Sequence, residues 1–486
     1  MKETFYITTP IYYASGKPHI GHAFTTIYGD VISRYQKSLG KDIFFTVGLD
    51  EHGQKIALKA EESGKAPQEF VDEIAAEYKK TWELLDIAYD SFVRTTAEWH
   101  KKGILVFFEK LRTAGDIYES FYEGLYCTDC EKFYTEKELV NGLCPDHLTL
   151  PQKVKEKNYF FNLKKYLPRI QKRIENGEVA IIPETRKNEV LRIIEAGIPD
   201  FSITREKVKW GIPYPYDESQ TIYVWVEALM NYVSALGFPD GEQFKKFWPA
   251  DLHIIGAEIN KFHSIFWPGL LLSADMPLPK NIFVHGLFTV NGQKMSKTIG
   301  NTIDPLVMIE KFGSDATRYL LLSQFPATEH GDIKAENFSS KYNDDLANGF
   351  GNLMERVFTM IIEYQVELHG KNADRKIQDG AQKMNEAYKI SFEAYDLFNA
   401  LKPIFAFAKM LDKYVNDHEP WKLYKDQEID KLSKTLNTLY YGIQEITECI
   451  DPFMPKKAEA IRNYSKKVAA KEVEKDTKLN LFPHIV

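Results

Sequence analysis

Phe5-Tyr6-Ile7-Thr8-Thr9 runs into Pro10, Ala14-Ser15-Gly16-Lys17-Pro18 follows, and then comes His19-Ile20-Gly21-His22. Aromatic and β-branched residues make the first segment a strand, and Gly and Pro make the second a loop. The third opens a helix, on which Ala23, Ile27 and Val31 recur at four-residue spacing. Strand, short loop and helix start are where an α/β protein holds phosphate. The first backbone N–H groups of the helix are unpaired, and its dipole is positive there. His19 and His22 both offer ring nitrogens to phosphate oxygens, and Gly21 lets a nucleotide approach the backbone.

Working outward, Gly40 closes that helix and Asp42-Ile43-Phe44-Phe45-Thr46-Val47 reads as a buried strand. Alternation of strand and helix continues to about Thr113, which predicts a doubly wound parallel sheet. From Gly124 to Ser202 the text becomes short, charged and mixed, as an insertion would be. Strands are expected again at Thr221-Ile222-Tyr223-Val224-Trp225-Val226, His253-Ile254-Ile255-Gly256 and Ile282-Phe283-Val284-His285-Gly286. Phe288-Thr289-Val290 is expected as a strand of the same sheet, with a turn at Asn291-Gly292-Gln293. The loop Lys294-Met295-Ser296-Lys297-Thr298 then brings two lysines, three apart, to close over a polyphosphate. Beyond Ala335 the chain reads as a helical bundle. Leu432, Leu436, Leu439, Ile443, Ile446 and Ile450 form one apolar stripe, and Ile404, Phe407, Leu411, Tyr414 and Val415 another. Leu479-Asn480-Leu481-Phe482-Pro483 is apolar enough to dock back on the body.

The 486 residues carry 44% hydrophobic and 27% charged side chains and a net charge of −7, which disfavours a surface coated for non-specific nucleic-acid binding. No apolar run reaches the ~18–20 residues of a membrane span, and no targeting signal is expected at the N-terminus. Only four cysteines occur. That is no disulfide framework, so a reducing cytoplasm is expected. Three of them stand in Cys127-Thr128-Asp129-Cys130 and Cys144-Pro145-Asp146-His147. This C-x2-C-x13-C-x2-H spacing fits one tetrahedral ion, zinc first, held by Cys127, Cys130, Cys144 and His147 in a structural role. Cys449 lies on a helical stripe and reads as inert core.

Pro18-His19-Ile20-Gly21-His22 with Lys294-Met295-Ser296-Lys297-Thr298 resembles the signature pair of class I aminoacyl-tRNA synthetases. Thr9-Pro10-Ile11-Tyr12-Tyr13, Gly48-Leu49-Asp50-Glu51-His52-Gly53, Tyr223-Val224-Trp225-Val226-Glu227-Ala228-Leu229, Phe262-His263-Ser264-Ile265-Phe266-Trp267-Pro268 and Phe283-Val284-His285-Gly286 are similar to the methionyl-tRNA synthetase family. The resemblance covers essentially the whole chain. It implies a Rossmann catalytic half at 1–115, a connective insertion with a zinc knuckle at 116–204 and a second Rossmann half at 205–275. A stem-contact region follows at 276–335 and an α-helical anticodon-binding domain at 336–486. The implied reaction activates methionine with ATP to methionyl-adenylate, then transfers the methionyl group to the 3′ end of tRNA(Met), initiator included.

Carried over residue by residue, the resemblance makes His19, His22, Lys294 and Lys297 catalytic. ATP would be bound by His19, Gly21, His22, Gly256, Glu258, His285, Lys297 and Thr298. Methionine would be bound by Ile11, Tyr13, Asp50, Trp225, Leu229, Tyr232, Ile259 and His263, with Asp50 on the α-ammonium and Tyr13 or His263 hydrogen-bonding the sulfur. Arg205 would hold Asp50 in place. Asn352, Arg356 and Trp421 would read the anticodon. Mg²⁺ is expected with ATP, and a monomer without membrane attachment is implied. One stretch departs from the family: Gly256-Ala257-Glu258-Ile259 stands where Gly-Lys-Asp-Ile is usual. The competing readings are another class I synthetase or a synthetase-derived tRNA-binding protein. The valine, isoleucine and leucine enzymes need a larger insertion than this chain has. The cysteine enzyme uses a metal in its catalytic site, whereas this cluster falls in the insertion. Intact His19, His22, Lys297 and Asp50 argue against a binding protein.

Overall fold

The computed structural model describes residues 2–145, 148–290, 292–295, 302–369, 373–473 and 478–485. These divide into two compact units. The first comprises Met1–Pro18, Gln36–Glu83 and Ile87–Gly286, and the second His19–Tyr35, Leu84–Asp86 and Leu287–Val486.

The first unit is built on a seven-stranded parallel sheet. Ser91–Arg94 and the short Tyr12–Tyr13 both pair with Asp42–Asp50. Thr4–Thr8, Leu252–Gly256, Asn281–His285 and Ala180–Ile182 continue the order. The sheet order reverses where Thr4–Thr8 meets Leu252–Gly256, the switch point at which such sheets open a ligand crevice at their carboxyl ends. The strands are buried on both faces, which explains the near-continuous apolar runs of Phe5–Thr9 and Leu252–Gly256. Trp267, Phe107, Phe108, Leu270 and Leu271 share one buried core with Ile255, Ile282 and Val284 of the strands. Each such side chain contributes about 1.5–3 kcal/mol by leaving water.

The span read as an insertion is a four-stranded antiparallel sheet of Lys132–Tyr134, Ile117–Cys127, Gln152–Phe161 and Phe201–Ser202. It also supplies Ala180–Ile182, the edge strand of the parallel sheet, which its mixed composition hid.

Two expected strands differ from the structure. Only Thr221–Ile222 of 221–226 is strand, antiparallel to Thr204–Arg205, and Val224–Leu229 is helix. A six-residue apolar run does not reveal its own period. Phe288–Val290 leaves the parallel sheet and pairs with Gln293–Lys294 and Gly331–Ile333 in a separate three-stranded sheet. The hairpin turn at Gly292, with φ 75°, turns the chain back on itself instead of feeding a crossover.

Ile20–Ser38 is the signature helix, of which the residues through Tyr35 belong to the second unit. Gly40 takes φ 86° and donates to Lys37 O, the left-handed stop expected of it. Arg318 is fully buried. Its guanidinium donates to Asp30 Oδ2 at 2.6 Å and to the carbonyls of Phe453, Pro452 and Leu85. Five N–H donors in a fork suit this dense set of acceptors. The helices Arg375–Glu393, Leu397–His418, Ile429–Ile450 and Pro455–Ala469 form the bundle. Both apolar stripes are buried throughout, and Leu479, Leu481 and Phe482 are buried as the docked tail. Cys449 is buried, and burial pushes its thiol up to about 12.

Candidate active site

Asp50 ends its strand, at the edge where ligands bind. It is buried, and the backbone N–H of His52 donates to its carboxylate. Its Oδ1 has no hydrogen-bond partner among the described residues. Burial, then Glu227 and Glu131, push this carboxyl well above the usual carboxylate range. An acid held among other acids without a cation is stabilised by one that arrives. Arg205 does not supply it. Its Nε and Nη2 pair with Glu156 at 2.9 and 3.1 Å, and its plane lies 4.0 Å over the Tyr126 ring. Arg205 therefore braces two insertion strands, contrary to the expectation that it holds Asp50.

Beside Asp50, Tyr13 is an edge-on neighbour of Trp225, with centroids 5.9 Å apart, and Trp225 stacks on Phe262 at 4.1 Å. Phe262 joins this aromatic cluster by its stacking on Trp225, and its place directly before His263 is the one signal the sequence offers for it. The Tyr13 hydroxyl is buried without a partner among the described residues, and burial keeps it protonated. His263 is differently placed. Its Nδ1 meets the Ile259 carbonyl at 3.0 Å, so Nδ1 carries the proton, and Nε2 accepts from Tyr232 Oη at 2.7 Å. Burial pushes His263 down to about 4, so the ring is neutral at neutral pH. Tyr232 and Leu229 are buried, while Ile259 is half-buried against the same core. Ile11 lies within 2.9 Å of where a Cβ on Gly48 would stand, close to the end of the Asp50 strand.

Gly256 and His285 end adjacent parallel strands in register. Glu258 follows on an exposed single turn, and a Cβ on Gly256 would stand 2.5 Å from its Oε2. Burial pushes His285 down against the opposing effect of Glu258. Gly256 and His285 end their strands at one edge of the sheet, and Glu258 follows directly on the next turn.

In the second unit the signature histidines stack, with ring centroids 3.8 Å apart. Nδ1 of His19 accepts from the Gly21 N–H, and Nδ1 of His22 from the His19 N–H. In each neutral ring the proton then sits on Nε2. A Cβ on Gly21 would meet His19 at 2.9 Å and the Met295 methyl at 3.1 Å. A side chain at this position would have to displace the His19 ring and the Met295 methyl. Lys294 lies on the strand Gln293–Lys294, whereas Lys297 and Thr298 lie outside the described residues.

Cys127, Cys130 and Cys144 are buried with their sulfurs within 4.8 Å of one another. Cys130 and Cys144 are 3.8 Å apart. A tetrahedron of Zn–S bonds near 2.3 Å has edges of about 3.8 Å, the separation of the Cys130 and Cys144 sulfurs, so the cluster is compatible with a shared ion. His147 lies outside the described residues.

Arg356 and Trp421 come together in the helical bundle, with the guanidinium 5.2 Å over the indole. Arg356 also donates to Asn416 Oδ1 at 2.9 Å and pairs with Asp412. Trp421 is 41% exposed, which is unusual for so large an apolar ring. Asn352 begins its helix and lines a cavity of about 190 Å³ against the tail Asn480–His484.

The family described as tRNA synthetases class I (M) matches residues 5–153 and 148–358, and the anticodon-binding domain of tRNA ligase matches 374–483. A methionine–tRNA ligase of Thermotoga maritima is 42% identical over 94% of this chain and 74% of its own. One of a Nostoc species is 39% identical over 93% of this chain and 88% of its own. The solved Mycobacterium tuberculosis methionyl-tRNA synthetase in complex with methionyl-adenylate superposes with a TM-score of 0.91 at 34% identity, covering 98% of this chain and 97% of that one. With its sheet, its cysteine cluster and its helical bundle all inside these matches, the chain belongs to the methionyl-tRNA synthetase family of class I.

Proposed function

We propose that this chain is a methionine–tRNA ligase, which joins methionine to ATP as methionyl-adenylate and then to tRNA(Met). The observation that carries this reading is the buried Asp50 Oδ1, beside an aromatic pocket that holds the buried Tyr13 hydroxyl, each without a partner among the described residues. That pair complements an amino acid with a cationic α-amino group and a soft, weakly accepting side chain. A thioether against Tyr13, Trp225 and Phe262 gains about 0.3–1.5 kcal/mol per sulfur–aromatic contact. Because both His263 nitrogens are engaged, Tyr13 is the donor to sulfur, and His263 with Tyr232 fixes the pocket wall.

In the first step a methionine carboxylate oxygen attacks the α-phosphorus and pyrophosphate leaves. Nε2–H groups of His19 and His22 stabilise the charge that grows on the phosphates, and Lys297 with Lys294 and Thr298 holds the leaving side. Gly256, Glu258 and His285 hold the nucleoside. Glutamate in place of the usual aspartate still accepts from ribose hydroxyls. No enzyme nucleophile is required: positioning and preorganised positive charge supply the catalysis. Mg²⁺, when bound with ATP, neutralises phosphate charge. In the second step the terminal ribose hydroxyl of tRNA takes the methionyl group and AMP leaves. Asn352, Arg356 and Trp421 read the anticodon by stacking and base-edge hydrogen bonds.

Three buried thiols within 4.8 Å of one another, two of them 3.8 Å apart, support a structural zinc, with His147 as the fourth ligand. Among the described residues no helix is long and apolar enough to cross a membrane. A cytoplasmic monomer is the proposed setting. ATP–pyrophosphate exchange tried with each of the twenty amino acids tests the reading. Dependence on methionine is expected, and exchange with none of them would overturn it in favour of a tRNA-binding protein.

A further inference from the structure

We propose that Glu131 is a positioning residue through which the cysteine knuckle sets the α-ammonium subsite of methionine. This rests on the methionine-activation reading above. Glu131 directly follows Cys130 in the tight turn that joins Ile117–Cys127 to Lys132–Tyr134. It is 1% exposed and takes φ 53°, a left-handed conformation that a non-glycine residue keeps only where its surroundings hold it.

What holds it lies outside the knuckle. Its Oε1 accepts from the backbone N–H of Lys55 at 2.7 Å, at the start of the helix Gln54–Glu62. That helix begins four residues after Asp50, and Gly53 between them has no side chain of its own to cap it. A Cβ on Gly53 would stand 2.8 Å from Glu131 Oε1, so the glycine makes room for the carboxylate. Tyr126 donates to Oε2, and Tyr223 donates to the Glu131 carbonyl. Lys55 Nζ donates to the Asp129 carbonyl at 2.7 Å, and Trp225 Nε1 to the Cys130 carbonyl at 3.1 Å. The turn bearing two of the clustered thiols is thus fastened to the Asp50–Gly53 loop and to Trp225. An ion that orders Cys127 and Cys130 orders Glu131, and Glu131 orders the loop that presents Asp50.

The test uses the full, metal-loaded chain. Methionine and ATP are varied separately in pyrophosphate exchange, with metal content and melting temperature measured alongside. Glu131→Ala is expected to raise the KM for methionine about tenfold while kcat, the KM for ATP and the metal content stay within twofold. Glu131→Gln keeps an acceptor for the Lys55 N–H and is expected to recover to within threefold of wild type. By calorimetry, Glu131→Ala should weaken methionine and leave 4-(methylthio)butanoate, which lacks the amino group, unchanged. Chelated wild-type chain should show the same selective loss for methionine. An unchanged methionine KM in metal-replete Glu131→Ala overturns the proposal. So does a parallel rise in both KM values with a lowered melting temperature, or Gln as damaging as Ala. Should Glu131→Ala lose its metal, Tyr223→Phe decides: a threefold rise in methionine KM with metal retained supports the proposal, and no rise overturns it. Wild-type chain that shows no methionine-dependent exchange would instead remove the functional reading beneath it.

Discussion

The proposed methionine pocket and the proposed anticodon face pose opposite recognition problems. In the pocket, Asp50 is buried and Tyr13 half-buried, and each keeps one buried polar atom without a partner among the described residues. On the helical face, Arg356 is already bound to Asp412 and Asn416 and laid against an exposed Trp421. A small ligand is recognised by groups whose burial has been left uncompensated, because the ligand then supplies the missing partner. A splayed RNA base is recognised by a ring already held flat at the surface, because stacking needs an open face and little else. Single truncations should therefore do most damage in the pocket and less on the face, and each should affect a different step.

Asp50→Ala should produce the largest effect. Removing the carboxylate leaves a desolvated ammonium without its counter-charge, which costs about 2–5 kcal/mol. Methionine affinity by calorimetry should fall at least a hundredfold, while tRNA affinity is unchanged. An effect below tenfold would mean that Glu131 or Glu227 serves the ammonium instead.

Next in size is a pH effect on the pocket wall. His263 is held neutral in the fold at about 4, against 6.5 for an unperturbed ring. Its folded value is depressed, so between pH 6.5 and 4 the unfolded chain binds a proton that the fold does not. Stability is lost as pH falls through that window, by up to about 3 kcal/mol from this one group. His263→Gln removes the titration and should flatten that part of the stability curve, measured by urea unfolding at stepped pH. A curve as steep in the variant as in wild type would assign the acid sensitivity to the buried His100 and His253.

How much of this was legible beforehand follows the same division. The parallel sheet, the helix start at His19 and both bundle stripes were readable because burial on a fixed period leaves a pattern in the text. Asp50 was readable from its place at a strand's end. Trp225 was assigned to a strand and lies on a helix, since six apolar residues carry no period. Arg205 was given to Asp50 and belongs to Glu156, 49 residues earlier. Pairing of this kind depends on strand register, which no local signal encodes. Glu131 went unnoticed because its importance comes from a left-handed turn and a cap on a distant helix, neither of which alters composition. The motifs point to a chemistry, and the supporting contacts depend on strand pairing that no motif carries.

On the anticodon face, Trp421→Ala removes a stacking surface worth about 1–3 kcal/mol. Aminoacylation should fall roughly ten- to a hundredfold in kcat/KM for tRNA, and methionine-dependent pyrophosphate exchange should not change. Equal loss in both assays would make Trp421 a structural residue of the bundle.

The smallest effect is the sharpest test of the pocket. Tyr13→Phe keeps the ring and its edge contact with Trp225 and deletes only the hydroxyl that has no partner among the described residues. A hydrogen bond to a thioether is weak, so methionine should lose about 1 kcal/mol, near fivefold in KM. Norleucine, which has a methylene where methionine has sulfur, should lose nothing and even gain slightly, since it no longer strands a buried hydroxyl. Selectivity between the two, read as the ratio of kcat/KM values in exchange, should therefore drop by roughly fivefold. If both substrates weaken together, the hydroxyl serves the pocket's packing. If only His263→Gln narrows the ratio, the tautomer argued from the Ile259 carbonyl is the wrong one, and sulfur is read by the imidazole.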